Sequence, residues 1–245
     1  MIEFNISLAG HVIGIKALHT YVQEYCTNYL CEGPADFTVE TTQADIEFER
    51  EKSARDNINS GIAVIHYSDD YLETLAVYRK LVNGMLRYDT LLFHGSAIAV
   101  DGVAYLFTAT SGTGKSTHTR FWRETFGDRA VMVNDDKPLL KLTEDGVLVC
   151  GTPWNGKHRL GTNMMVPLEA ICILERGEEN ELVSVSATEA LPMLLQQSHR
   201  PAGAASMMRY LDLMDRLTKK LRFYRLKCTP TAEAAKLAYE GMRLK

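Results

Sequence analysis

Residues 103–117 read VAYLFTATSGTGKST, an apolar run from Val103 to Phe107 that feeds a glycine-bearing loop ending in Gly114-Lys115-Ser116. A helix-like segment follows from Thr117 to Phe126, closed by Gly127. Strand, glycine loop and helix in that order form the setting of a phosphate-binding loop. Backbone N–H groups of such a loop and of the first helical turn converge on phosphate oxygens, and the helix dipole favours the negative charge. Ser111, Gly112, Thr113, Gly114, Lys115, Ser116 and Thr117 are the candidate ligand-holding residues. Lys115 would neutralise the β- and γ-phosphates and the Ser116 hydroxyl would meet Mg²⁺. The usual spacing has a glycine five residues before Gly114; Ala109 stands there, so the loop has to turn at that point without a positive φ.

Outward from that stretch, strands and turns alternate in a way that excludes a purely parallel sheet. Leu91–Val100 and Val103–Phe107 flank Asp101-Gly102, a hairpin signal. Ala130–Val133, Pro138–Leu142, Val147–Cys150 and Ile171–Leu174 read as further strands, and Glu144-Asp145-Gly146 as a turn. Helical periods dominate Thr188–Gln197, Ala204–Leu221 and Thr231–Met242. The expected class is mixed α/β: a mixed β-sheet domain over residues 89–245, preceded by a smaller α+β unit over residues 1–88. In that first unit, Ile2–Leu8, Phe37–Thr41, Ala44–Glu49 and Ile62–Tyr67 read as strands, Ala17–Leu30 as a helix and Arg50–Ser60 as a loop. A second helix starts at Ser68 or Asp69 and has Leu72, Leu75, Ala76, Val82, Met85 and Leu86 on its apolar face.

Composition narrows the function classes. A chain of 245 residues with 46% apolar and 24% charged residues reads as an ordinary globular protein. A net charge of -4 argues against a protein that coats nucleic acid. No apolar run has the length of a membrane span, and no signal-peptide pattern opens the chain. Five scattered cysteines contain no C-x-x-C pair, so neither a zinc knuckle nor a disulfide framework is expected. These features together point to a cytoplasmic protein.

A nucleotide cradle needs a metal partner and a group that activates the acceptor. Ala130–Val133 ends in Asn134-Asp135-Asp136, which delivers two adjacent carboxylates from a strand end. One can hold Mg²⁺, directly or through water, and the other can take a proton from an incoming hydroxyl. His94, in Phe93-His94-Gly95-Ser96, lies one hairpin upstream of the loop.

The run FHGSAIAV-DGVAYLFTAT-SGTGKST followed by VMVNDD resembles the catalytic domain of HPr kinase/phosphorylase and, more distantly, ATP-dependent phosphoenolpyruvate carboxykinase. The resemblance covers about residues 90–176. It implies ATP and Mg²⁺ as cofactors, His94 as an active-site histidine, Lys115 and Ser116 as the phosphate-loop lysine and magnesium-binding hydroxyl, Asp135 as the base and Asp136 as the metal-side aspartate. A plain strand-end argument gives Asp135 the metal instead, so the two roles stay interchangeable. The glycine-rich signature that HPr kinases carry after the aspartates is not recognisable; Gly151-Thr152-Pro153-Trp154-Asn155-Gly156-Lys157-His158-Arg159 stands in that region. That segment resembles the smaller HPr-kinase-like proteins, some of which phosphorylate serine in peptides. The resemblance therefore does not carry recognition of HPr itself.

Lys157, Arg159 and Arg200 are candidates to meet charge on a transferring phosphoryl group, and Trp154 to line a pocket. Met207, Leu211, Met214 and Leu221 are expected to face core. The basic run from Arg216 to Lys227 reads as hydrated flanks of a helix and a strand, or as a dock for an acidic peptide. The expected function is Mg-ATP-dependent phosphorylation of a hydroxyl acceptor, with a peptide or small protein favoured and a small molecule the other choice. An ATP-gated switch without phosphoryl transfer and carboxykinase-like chemistry are the alternatives.

Overall fold

The computed structural model describes residues 1–245 apart from Ser60, Ile62, Lys157 and Lys245. The chain divides into two compact units, Met1–Gly84 and Met85–Lys245.

The first unit is built on a four-stranded sheet with the order β3-β1-β2-β4, formed by β1 (Ile2–Leu8), β2 (His11–Ala17), β3 (Leu30–Cys31) and β4 (Phe37–Glu40). β1 and β2 form an antiparallel hairpin, and Ala9 and Gly10 both take positive φ at its two-residue turn. The region expected as one helix over Ala17–Leu30 is divided: Ala17 ends β2, α1 spans only Tyr21–Tyr25, and a short 3₁₀ turn covers Thr27–Tyr29.

Ala44–Glu49, expected as a strand, and most of the expected loop Arg50–Ser60 instead form one helix, α2 (Gln43–Asn59). The alternation of apolar and acidic residues misled because this stretch is rich in Glu, Ala, Lys and Arg, which are strong helix formers. Asp45 closes the helix start by accepting from the Thr42 amide and hydroxyl at 3.0 and 2.8 Å, and Lys52–Asp56 and Glu51–Arg55 pair along its surface. Residues 63–67 form no strand, and Val64 and Ile65 are 43% and 47% exposed; Ile62 lies outside the described residues. A β-branched run becomes a strand only where a neighbouring strand accepts its hydrogen bonds.

α3 (Asp69–Met85) buries Leu72, Ala76, Val82 and Met85, and also the carboxylate of Glu73. Glu73 accepts from the amides of Leu18 and His19 at 2.6 and 2.8 Å and from the Thr41 hydroxyl at 2.5 Å. A fully buried carboxylate with those partners ties the helix to the end of β2.

In the second unit the strands are β5 (Thr90–Leu92), β6 (Ser96–Val100), β7 (Val103–Thr108), β8 (Ala130–Asn134), β9 (Leu139–Leu142), β10 (Val147–Cys150), β11 (Met165–Arg176), β12 (Glu181–Val185) and β13 (Arg222–Cys228). The sheet is mixed. β6 pairs antiparallel with both β7 and β8, whereas β11 runs parallel to β7 and to β13. The first residues of β11 pair antiparallel with β10, which continues to β9 and β5. β12 pairs antiparallel with β13; its sequence alternates too weakly between charged and apolar residues to announce a strand.

Successive residues of β7 point to opposite faces. Ala104 and Leu106 join a core with Ile171, Ile173, Leu194 from α5 (Ala187–Gln197) and Tyr210, Leu213 and Leu217 from α6 (Ala204–Lys220). Tyr105 and Phe107 join a second core with Trp122 from α4 (Lys115–Phe126) and Ala235, Ala238 and Met242 from α7 (Ala232–Met242). Leu211, expected in the core, is 51% exposed, while Met214 and Leu221 are buried. The helix turns Leu211 away from the stripe that carries Tyr210, Met214 and Leu217.

The expected strand Leu91–Val100 is broken between Leu92 and Ser96. Three backbone amides leave the ladder there: Phe93 donates to the Pro138 carbonyl, His94 to Gln197 and Gly95 to Asp136. Gly95 permits the break because a Cβ would sit 2.9 Å from the Phe107 carbonyl oxygen. His94 is thus a residue of a strand break and not of a strand.

Candidate functional site

The loop after β7 leads directly into α4. Gly112 and Gly114 have φ of 78° and 119°, while Ala109 keeps an ordinary backbone. At 119° an L side chain is strained, which is why glycine stands before Lys115. The loop is braced from within by Thr113 Oγ1 donating to the Thr110 carbonyl at 2.9 Å, and from β11 by Arg176 donating to the Gly112 carbonyl at 2.6 Å. Gly114 opens α4 without any side-chain cap, and the first turn holds no acidic residue. The amides at the start of this helix therefore have no side-chain acceptor, and the positive end of its dipole faces the loop.

Lys115 folds back over the loop and donates to the Ala109 carbonyl at 3.2 Å. Burial drives its pKa below the ordinary lysine value, and the nearby charges of Asp136 and Asp135 oppose that shift. Lys115 and both aspartates line one cleft of about 420 Å³ together with His94, Gly112, Gly114, Ser116, Thr117 and Gly156.

The two carboxylates are held differently. Asp135 is 6% exposed; its Oδ1 accepts from the Ser96 hydroxyl at 2.7 Å, and that hydroxyl also lies 2.9 Å from Thr119 Oγ1. Asp136 is set by Asn134, whose Oδ1 accepts from the amides of Asp136 and Lys137 at 2.8 and 2.7 Å. Asn134 in turn is fixed through Nδ2 to Thr152. Burial raises the Asp136 carboxyl, but the His94 hydrogen bond and the charges of Lys137, His94 and Lys115 outweigh it, so the net direction is downward. His94 Nε2 lies 3.1 Å from Asp136 Oδ1. Among the described residues no group of three His, Cys, Asp or Glu forms a complete metal cage. Hard oxygens of Ser116 and the aspartates suit a hydrated divalent cation that takes further ligands from a phosphate chain.

A family model described as SynChlorMet cassette protein ScmC matches residues 67–229, well over half of the chain, from α3 through β13. The chain belongs to the ScmC family. That description names no activity. Among solved structures, the HPr(Ser) kinase/phosphatase from Coxiella burnetii is similar at 12% identity, over 61% of this chain and 91% of that one, with a TM-score of 0.35. At that score the likeness carries no argument about fold or function. No curated protein matches.

In this ScmC-family chain the predicted site residues separate into two groups. Gly112, Gly114, Lys115, Ser116, Thr117, His94, Asp135 and Asp136 surround the cleft, while Thr113 lines a neighbouring cleft. Ser111 is an exposed loop residue that lines neither. Arg200 is also exposed and lines neither; it follows the segment that anchors His94 through Gln197. Lys157 lies outside the described residues. Arg159 is exposed with φ of 48°.

Trp154, expected to line a pocket, is 2% exposed and sits in the interior, its carbonyl facing Asn134 Nδ2. That bond ties the segment to the strand end that carries the aspartates. The basic run is neutralised locally: Arg216 pairs with Asp89, Lys219 with Asp215, Arg222 with Glu169 and Arg225 with Glu175.

Ser96, Thr119 and Gly156 were not singled out from sequence. A Cβ at Gly156 would sit 3.1 Å from Asp135 Oδ2, so glycine there keeps space beside the carboxylate. The signal available for Ser96 is its place after the His94-Gly95 pair and for Thr119 its place one turn into α4; Gly156 carries none beyond its place in the Gly151–Arg159 segment.

Proposed function

We propose that this protein is a Mg-ATP-dependent kinase that transfers the γ-phosphoryl group to a hydroxyl acceptor, with serine in a peptide or small protein the favoured class. The observation that carries the reading is the shared cleft: one ammonium, two carboxylates and an uncapped helix start face the same space of about 420 Å³. Backbone amides at Gly112–Ser116 bind phosphate oxygens, and Lys115 balances their charge. A lysine whose pKa burial lowers, beside a backbone cradle, fits a site built to receive an anion, because an arriving phosphate favours its charged form.

The neighbouring cleft of about 460 Å³, lined by Leu174, Gly177, Cys228 and Pro230 as well as by the loop, offers an apolar wall for the nucleoside. Mg²⁺, when bound, neutralises charge on the phosphates. Ser116 and Asp136 are the residues that would hold it. Asp135 takes the acceptor proton; Ser96 fixes its orientation by occupying Oδ1 and leaves Oδ2 beside Gly156 for the incoming hydroxyl.

Two variants test the assignment. Lys115→Ala is expected to abolish labelling of serine-containing peptides from γ-labelled ATP with the fold intact by circular dichroism. Asp135→Asn is expected to lose turnover while calorimetry still registers ATP binding in the presence of Mg²⁺. Undiminished labelling in the lysine variant would refute the reading. ATP binding without turnover in the unaltered protein would select the alternative of a nucleotide-gated switch.

A further inference from the structure

Asp135 also borders a second cleft, one that Lys115 does not line. This space of about 350 Å³ is lined by Ser116, Thr117, Thr119, Arg120, Arg123, Asp135, His158 and Leu160. Ser116, Thr117 and Asp135 belong to both clefts, so the two spaces meet at the proposed reacting groups. An in-line acceptor has to meet the γ-phosphate beside these shared groups, and the second cleft adjoins them.

Its charge is distinctive. Arg120 and Arg123 stand three residues apart on α4, so both project to one side of the helix. Arg120 is half exposed, lies 5.1 Å from the Phe121 ring and pairs loosely with Glu124 at 3.6 Å, an i,i+4 surface contact of little strength. Among the described residues the Nε of Arg123 is buried without a hydrogen-bond partner. A guanidinium N–H taken out of water and left unbonded costs free energy unless a ligand completes it. His158 adds a third nitrogen-bearing side chain, and Leu160 an apolar wall. Asp135 is the single carboxylate among the described lining residues, and Ser96 already engages one of its oxygens.

We infer that this cleft is the acceptor site and that it selects a hydroxyl compound bearing a carboxylate close to the hydroxyl. The inference rests on the kinase reading and names the substrate class that reading leaves open. The hydroxyl faces Asp135 and the carboxylate lies a few ångströms away, toward Arg123 and Arg120. A carboxylate matches a guanidinium in a bidentate, charge-assisted pair, which ammonium or neutral neighbours do not offer. In the transfer, the acceptor oxygen forms its bond to the γ-phosphorus while the bond to the β,γ-bridging oxygen breaks. Its electron pair leaves with ADP, and the hydroxyl proton passes to Asp135. Two sources supply such an acceptor: a peptide serine next to aspartate or glutamate, or a small free hydroxy acid.

The test uses the full chain, Mg-ATP and four acceptors: serine peptides flanked by aspartate, the same peptides flanked by lysine, glycerate and glycerol. Labelling is expected for the acidic member of one pair or of both, at least tenfold above its uncharged or basic counterpart. Whether the aspartate peptide or glycerate is the better acceptor identifies the source. Arg123→Gln is expected to raise the acceptor KM about tenfold with the ATP KM unchanged. The double reversal Arg120→Glu with Arg123→Glu is expected to move preference toward the lysine-flanked peptide, which a purely structural role of the arginines would not do. Turnover without an acidic preference, an unmoved preference in the double variant, or no labelling of either acidic acceptor would each overturn the inference. Loss of ATP binding by the unaltered protein would instead remove the kinase reading beneath it.

Discussion

His118 offers a quantitative test of how the loop-bearing helix is held. It sits one turn into α4, 4% exposed, edge-on to Phe107 with ring centroids 4.5 Å apart, and its Nε2 accepts from Trp122 Nε1 at 3.0 Å. Burial lowers its pKa from 6.5 to about 4. The unfolded chain therefore binds a proton near pH 6.5 that the folded chain refuses until about pH 4. Stability from this group is complete above about 6.5, declines as pH falls, and levels off below about 4. The whole displacement corresponds to about 3 kcal/mol, of which about 2 kcal/mol is lost between about pH 7.5 and about pH 5.

The perturbation is pH together with His118→Gln, whose amide oxygen can still accept from Trp122 but does not titrate. Both tryptophans of the chain, Trp122 and Trp154, lie in the second unit, so fluorescence-detected urea unfolding reports that unit. The unaltered protein is expected to lose about 2 kcal/mol over that pH interval, and the glutamine variant less than half as much. Equal losses in the two proteins would show that His118 is not the titrating group and that α4 is not pinned by a neutral imidazole.

Three further outcomes follow from geometry. Ser96→Ala removes the donor to a buried carboxylate; it is expected to cost about 1–3 kcal/mol in urea unfolding and to lower turnover. Gly114→Ala places a side chain at φ 119°, and should destabilise by about 1–3 kcal/mol and weaken ATP binding in calorimetry, whereas Gly146→Ala, in open space, should change neither. Gly151→Ala would drive a Cβ into the Thr162 carbonyl oxygen and against that of Val133, so a loss of about 3 kcal/mol or more is expected, read as a lowered unfolding midpoint.

What could be read from sequence was what is local. The run into Gly112 and Gly114, the Asp101-Gly102 hairpin and the acidic pair after Ala130–Val133 each declare themselves within a few residues. Alternation over Ala44–Glu49 imitates a strand although the Glu, Lys and Arg of Gln43–Asn59 favour helix, and the apolar run through Val64 and Ile65 imitates one because partners are not visible in a single chain. The bond from Ser96 to Asp135 joins residues 39 apart, and nothing near either announces it. Arg120 and Arg123 read as ordinary helix-surface charges; only the fold reveals that their side of α4 borders Asp135.

β11 has a consequence for how the molecule is made. Its second half lies between β7 and β13, so Ile171 lies beside Leu106 on one flank and Phe223 on the other. Both flanks are parallel, and neither partner is near in the chain. During synthesis on the ribosome the strand that carries the loop is complete long before its neighbour at 168–173 exists, and that neighbour waits again for residues 222–228. Such distant parallel pairings are slow to form and leave sticky edges while they wait. A nascent chain stalled before Arg222 would present the open flank of β11 to other chains.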